Sequence, residues 1–268
     1  MKKAEKRQRK TVLLSFDTEE FDLPREHGAT ITTEEGVAVS SRGMERILDV
    51  LQAAGVRATF FCTVSFARHS PAVMARIVDE GHEVASHGVN HSEPTSSDVV
   101  ESKPLLESLT GREVTGYRQP RMFPVSDDDL TRGGYLYNSS LHPTFIPGRY
   151  MHFDIPRTPF VKNGIMQIPA SVTPIFRLPV FWLACHVYPQ WLYHALCRRI
   201  LRHDNLFVTY FHPWEFVDLG ERKEWRVPRL IRLHSGREMA HRLERLITMF
   251  KTEGADFITF TDYTRTEK

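Results

Sequence analysis

This sequence predicts an α/β fold built on a mostly parallel sheet or barrel. Two observations carry that reading: short apolar runs alternate with stretches of helical period, and several of the runs end in acids, arginine or histidine. Size bounds it further. At 268 residues the chain suits one large domain, since chains near ~300 residues bury roughly 75% of their unfolded surface and need no staple to fold. Hydrophobic residues make up 41% and charged residues 25%, which excludes disorder, collagen and coiled coil. The formal charge of +2 is too small to favour nucleic acid or an acidic surface as a partner.

Taken in order, residues 12–16 are an apolar run stopping at an acidic stretch, which predicts a strand. From Ser41 a helix is expected, with Met44, Ile47, Leu48 and Leu51 on one stripe and Gly55 closing it. Residues 58–64 are aromatic and β-branched without alternation, as in a strand buried on both faces. Ser70 and Pro71 open the next helix, and Gly81 ends it. A third strand is expected at residues 82–87. The helix over residues 98–109 should kink or break at Pro104, and a strand follows near residues 114–118. Residues 141–190 show no clean period and are expected as loops and short strands. Residues 206–211 and 256–261 read as strands. Between them Ser235 and Glu238 have capping-box spacing, ahead of an amphipathic helix through Leu243, Leu246, Ile247 and Phe250.

Residues 1–10 read as a basic, disordered tail ahead of a single domain over residues 11–268. The tail is not followed by the ~7–15 apolar residues of a secretory signal, so a cytoplasmic protein is expected. No stretch reaches the ~18 apolar residues of a membrane span. Cys62, Cys185 and Cys197 lie in no CxxC or zinc-type spacing and are expected as reduced, buried thiols.

The chemistry gathers at strand ends. Ser15-Phe16-Asp17-Thr18-Glu19-Glu20-Phe21-Asp22 closes the first strand, where parallel α/β folds place their sites. Period two lets Asp17 and Glu19 point into one site, with Glu20 and Asp22 expected in solvent. His87 and His91 end the third strand, at a spacing that stacks two imidazoles on one side of a helical turn and suits a tetrahedral metal. With 13 histidines in the chain such a pair is nearly what chance supplies, so the weight rests on convergence with the acid into a two-His, one-carboxylate site. Gly116-Tyr117-Arg118-Gln119-Pro120 and Tyr210-Phe211-His212-Pro213-Trp214-Glu215 end two further strands, one with a cation and one with a histidine beside an aromatic. His82 reads as structural. No GxGxxG follows a strand, which disfavours a Rossmann-type cofactor.

In that order, with Gly81-His82-Glu83 between, these segments resemble the NodB-type polysaccharide deacetylases, carbohydrate esterase family 4, over about residues 11–261. Ser15-Phe16-Asp17-x-Glu19 with His212-Pro213-Trp214-Glu215 looks most like the branch associated with bacterial exopolysaccharide loci. The resemblance implies a distorted (β/α) barrel of about seven strands and a divalent metal, zinc (Zn2+) by preference. It implies Asp17 as general base, Arg118 as the cation that holds it, and His212 as general acid. His87 and His91 become metal ligands, and Tyr117, Pro120 and Trp214 contacts to the sugar. The family's common Asp-Asp pair is absent, because Thr18 follows Asp17. Glu19 is therefore assigned as the carboxylate ligand, with Glu20 the second choice. Gln119 and Arg121 also depart from the usual pattern, and Asn138 stands where relatives often carry Asp. The implied reaction removes an N-acyl group, N-acetyl by preference, from an amino sugar in surface or exopolysaccharide metabolism. Two alternatives stay open: a same-superfamily hydrolase of a non-sugar amide such as a ring ureide, and an inactive carbohydrate-binding relative.

Residues 174–184 are apolar and aromatic and are followed by Arg198, Arg199 and Arg202. One reading is a groove-lining segment. The other is a peripheral contact with anionic lipid that meets a lipid-linked sugar, Phe181 and Trp182 being the inserted aromatics.

Overall fold

The computed structural model describes residues 9–92, 94–146 and 150–267. Its strands are β1 (Lys10–Thr18), β2 (Thr59–Cys62), β3 (Glu83–Ser86), β4 (Gly116–Tyr117), β5 (Tyr137–Asn138), β6 (Phe145–Ile146), β7 (Tyr150–Met151), β8 (Phe160–Lys162), β9 (Ile165–Gln167), β10 (Leu206–Phe211) and β11 (Ala255–Phe257). The main sheet runs β10-β1-β2-β3-β4-β5-β9-β8 and curls into a half-barrel. Seven of those strands are parallel, as expected, and β8 turns back antiparallel to β9. β11 shares one edge of β1 with β2: it pairs with Lys10–Val12, and β2 pairs with residues 15–18. β6 and β7 form a separate hairpin.

Alternation along β1 sorts its side chains between two cores. Val12, Leu14 and Phe16 pack outward, in one cluster with Leu48, Leu51, Phe60 and Leu246 beneath the helices. Leu13 points inward with Phe61, Ala85, Tyr137, Ile168 and Val208, plugging the half-barrel. Ser15 and Asp17 continue the parity of Leu13, so the first catalytic candidate stands on the inner face, next along from an apolar plug.

Several boundaries differ from expectation. Residues 1–8 of the expected tail lie outside the described residues. Its last two residues are structured, because Arg9 pairs with Asp256 at 2.5 Å and Lys10 opens β1. The helix expected from Ser41 starts at Thr33 and runs to Ala54, because the Thr32 side chain caps it by accepting from the Glu35 N–H. The helix Asp98–Thr110 runs through Pro104, which sits on its exposed side, where a carbonyl lacking an N–H partner can meet water. The expected capping box at Ser235 does not form. Gly236 is the N-cap there, and Ser235 Oγ accepts instead from Leu219 N–H. The strand expected to reach Thr261 ends at Phe257, and Thr259 caps a helix, Phe260–Thr266. Among the described residues of 141–190 the loops and short strands are joined by the helix Trp182–Val187, ahead of the longer helix that opens at Gln190. His82 is structural: its Nδ1 accepts from Ala58 N–H at 3.2 Å, tying the strand β3 to the start of β2.

Candidate active site

The loops leaving β1, β3, β4 and β10 meet around a cavity of about 500 Å³ lined by Asp17, Glu19, Asp22, His87, His91 and His212 among others. Glu19 Oε2 lies 3.2 Å from His87 Nε2 and 3.1 Å from His91 Nε2, and all three residues are buried. The two histidines do not share a helical turn. Residues 87–91 form an irregular loop in which Gly88 takes φ 80°, and the rings stack with centroids 5.8 Å apart.

The other ring nitrogens are already committed. His87 Nδ1 donates to the Arg118 carbonyl at 2.8 Å, and His91 Nδ1 donates to Asp22 Oδ2 at 3.0 Å. Those bonds fix the tautomers and aim both Nε2 lone pairs at a carboxylate. Electron pairs converging in this way, two nitrogens and an oxygen within 4.8 Å of one another, fit a divalent cation. Burial alone would lower the His91 pKa, but Glu19 and Asp22 outweigh it and lift it to about 9. Glu20 turns away and accepts from the Thr63 hydroxyl at 2.9 Å. Neither Glu20 nor Asp22 is in solvent, contrary to expectation. Both are folded under by buried partners.

Beside the ligand set, Asp17 Oδ1 meets Arg118 Nη1 at 2.5 Å. Arg118 is fully buried, and its remaining donors reach Ser15 Oγ at 3.0 Å, the Ser139 carbonyl at 3.1 Å and Ser139 Oγ at 2.9 Å. Its guanidinium lies 3.9 Å over the Phe61 ring. Burial alone would raise the Asp17 pKa. Arg118, followed by His87 and His212, holds it below the usual carboxylate range.

Across the cavity, His212 Nε2 lies 4.0 Å from Asp17 Oδ2. Its Nδ1 donates to Glu215 Oε1 at 2.9 Å, and its backbone N–H donates to the same oxygen at 2.6 Å. Trp214 stacks on the imidazole at 4.7 Å between centroids, and Trp182 meets it edge-on at 5.1 Å. Burial pulls the His212 pKa down, but Glu215, with Glu19 and Asp17, raises it above the ordinary histidine value.

The structure thus brings Asp17, Glu19, His87, His91, Arg118 and His212 together, with Trp214 in the cavity wall. Two expected sugar contacts are corrected. Tyr117 ends β4 just before Arg118, and its ring packs in the outer core, where its hydroxyl donates to Gln119 Oε1 at 2.7 Å. Pro120 is buried against Gly88 and is not among the residues that line the cavity. Asn138 also faces elsewhere, donating to Gln167 Oε1 at 2.8 Å. The lipid-facing reading of Phe181 and Trp182 is corrected as well: Phe181 stacks on Tyr210 at 5.3 Å, Trp182 packs on His212, and both line the cavity. Arg198 and Arg202 are paired with Glu253. Asp22 and Glu215 were missed by sequence reasoning, whereas Trp214 was expected against the sugar and the groove-lining reading of residues 174–184 fits Phe181 and Trp182. The acid-rich strand end and the His-Pro-x-Glu spacing were the only signals that could have found the first two.

Residues 4–128 match the family described as polysaccharide deacetylase, and residues 139–263 match a domain of unknown function, DUF3473. Asp17, Glu19, His87, His91 and Arg118 lie in the first match, His212 and Glu215 in the second, and β10 of the second pairs with β1 of the first. A peptidoglycan deacetylase of Helicobacter pylori is 31% identical over 122 residues, 42% of this chain and 42% of that protein. The chain spans only 35% and 42% of the length of two curated relatives it matches. Among solved structures, the PuuE allantoinase matches with a TM-score of 0.63 at 17% identity, over 95% of this chain and 89% of that one. A CE4 family pseudoenzyme from Bacillus anthracis matches with a TM-score of 0.54 at 14% identity, over 96% and 66%. What is shared at those identities is the curled half-barrel.

Proposed function

We propose, for a chain that carries a polysaccharide deacetylase domain followed by DUF3473, hydrolysis of the N-acyl amide of an amino sugar, N-acetyl by preference, in bacterial surface or exopolysaccharide metabolism. Convergence carries this reading: an ionised base, a histidine acid and a divalent-metal ligand set face one cavity. When His87, His91 and Glu19 hold a divalent cation, zinc by preference, it supplies Lewis acidity for the acyl oxygen and the attacking water. Asp17 keeps Oδ1 on Arg118 and takes the water's proton through Oδ2. His212, with Nδ1 committed to Glu215, presents its Nε2 proton to the departing amine, which leaves poorly without one. Each such transfer contributes roughly 10²–10⁴-fold. Trp214, Trp182, Phe181 and Tyr210 supply an aromatic wall for the apolar face of a sugar.

The test is acetate release from N-acetylated sugars and oligosaccharides by zinc-loaded protein. Asp17→Asn and His212→Ala should each lose ~10²-fold or more in kcat and keep their zinc. Wild-type protein that binds zinc yet deacetylates no glycan, or that opens a ring ureide instead, would overturn the reading.

The same reading extends to a lipid-linked substrate met at the cytoplasmic face of a membrane. Ile175 and Phe176, 64% and 70% exposed, stand on a turn that Thr173 and Leu178 close by a backbone hydrogen bond, beside the cavity-wall residues Pro179 and Phe181. No helix of the described residues is long and apolar enough to cross a membrane, so the contact would be peripheral. Ile175→Ser with Phe176→Ser should abolish co-sedimentation with vesicles while sparing turnover of a soluble substrate. Wild-type protein that ignores vesicles at low salt would remove this extension.

A further inference from the structure

Behind His212 a second histidine continues the same hydrogen-bonded chain into the interior. His186, on the helix Trp182–Val187, and Glu215, on the short 3-10 turn Pro213–Phe216, are both fully buried. His186 Nε2 lies 2.8 Å from Glu215 Oε2, and its Nδ1 lies 2.5 Å from the Leu233 carbonyl. A carbonyl only accepts, so Nδ1 carries a hydrogen. Glu215 Oε1 already accepts two N–H groups from His212, and the carboxyl is held below the usual range although burial alone would raise it, His186 and His212 being the partners that lower it. Oε2, the carboxylate oxygen that His212 leaves free, is the one that faces His186. Both ring nitrogens of His186 thus face oxygens, Glu215 Oε2 on one side and the Leu233 carbonyl on the other.

We propose that His186 is a positioning residue, a buried cation on the far side of Glu215 that keeps this carboxylate aimed at His212 and stops it from holding the His212 proton too tightly. The assignment rests on reading His212 as the acid. A lone buried carboxylate would stabilise the His212 imidazolium strongly and weaken it as a donor, and a cation behind the carboxylate offsets that attraction. The other groups packed on His186 are the edge of Trp182, the His234 ring donating to its carbonyl at 2.8 Å, and Arg242, which donates to the Cys185 carbonyl at 2.7 Å and pairs with Glu238 at 3.3 Å. His212 is faced by Asp17, Glu19, Glu215 and the rings of Trp182, Trp214 and Tyr210.

Removing either charge should move the acid in opposite directions. His186→Gln keeps a neutral donor and should raise the alkaline limb of the kcat profile by about half to one pH unit, whereas Glu215→Gln should lower it. In His186→Gln, kcat should fall ~10-fold with KM held within ~2-fold. Nitrogen NMR of histidine-labelled, metal-free wild-type protein should show both His186 nitrogens protonated at neutral pH. A bare ring nitrogen on His186, or an alkaline limb unmoved in a folded His186→Gln, would overturn the proposal. Zinc-loaded wild-type protein without deacetylase activity would instead sink the functional reading, and the NMR measurement would still decide the state of His186.

Discussion

Glu19 and Glu20 are neighbours in the chain, yet one faces two imidazoles and the other a threonine hydroxyl. Strand parity carries Asp17 inward, and Glu19, one residue past the end of β1, keeps to the cavity side while Glu20 turns to Thr63. Glu19→Gln, like His87→Ala and His91→Ala, should therefore lose most of its zinc, and Glu20→Gln should keep it. Metal analysis after dialysis against dilute zinc decides this, and equal retention by both glutamine variants would refute the assignment. Asp22 has a weaker part in the same site. It orients His91 through Nδ1, and removing such an outer carboxylate typically costs 10–100-fold in metal affinity, about what zinc titration of Asp22→Asn should read. Glu19 was readable from period two alone. Asp22 was not, because its partner lies 69 residues further along and no local pattern announces that return.

At the level of elements, the position of His212 depends on how closely the helix Thr33–Ala54 packs on the turn Pro213–Phe216. Gly43 is the contact point: a Cβ there would run into the Pro213 carbonyl, one residue from His212. Gly43→Ala favours the helix by propensity, but overpacking of this kind costs ~1–3 kcal/mol. The net expectation is a lower melting temperature together with a lower kcat, checked by thermal unfolding and acetate release. A more stable variant of full activity would show that the turn can move freely. Strands such as β2 were readable because burial on both faces leaves unbroken apolar runs, here Phe60-Phe61-Cys62, whereas the two residues of β5 are too few to show one. Helix starts were not, because competing hydrogen bonds decide them: Thr32 reaches Glu35 and adds a turn, and Ser235 is diverted to Leu219. Residues 182–187 stayed hidden for another reason, since a helix buried among aromatics on several sides shows no polar face to give it a period.

Across the whole molecule, Asp17, Glu19, His87 and His91 lie in one matched segment and His212 in the other, so the cavity that joins them exists only while β10 stays paired with β1 from Thr11 to Phe16. The three thiols report on that union. Cys62 lies on β2 in the first segment, and Cys185 and Cys197 lie on helices of the second, all buried. Burial lifts Cys62 and Cys185 to about 12 and Cys197 well above its ordinary value. The thiolate is the reactive form, so a raised pKa leaves almost none of it at pH 8 and slows alkylation beyond what burial does. Native protein should therefore resist thiol reagents. As denaturant is added, all three cysteines should become reactive along one common curve, because separating the segments would expose the inner face of β1 and strand Arg118 and Asp17 in an opened half-barrel. Mass spectrometry of pulse-labelled protein resolves the three sites. Labelling of Cys185 and Cys197 at denaturant concentrations that leave Cys62 protected would show instead that the second segment opens alone, and deacetylase activity should then vanish with that earlier transition, since His212 departs with it.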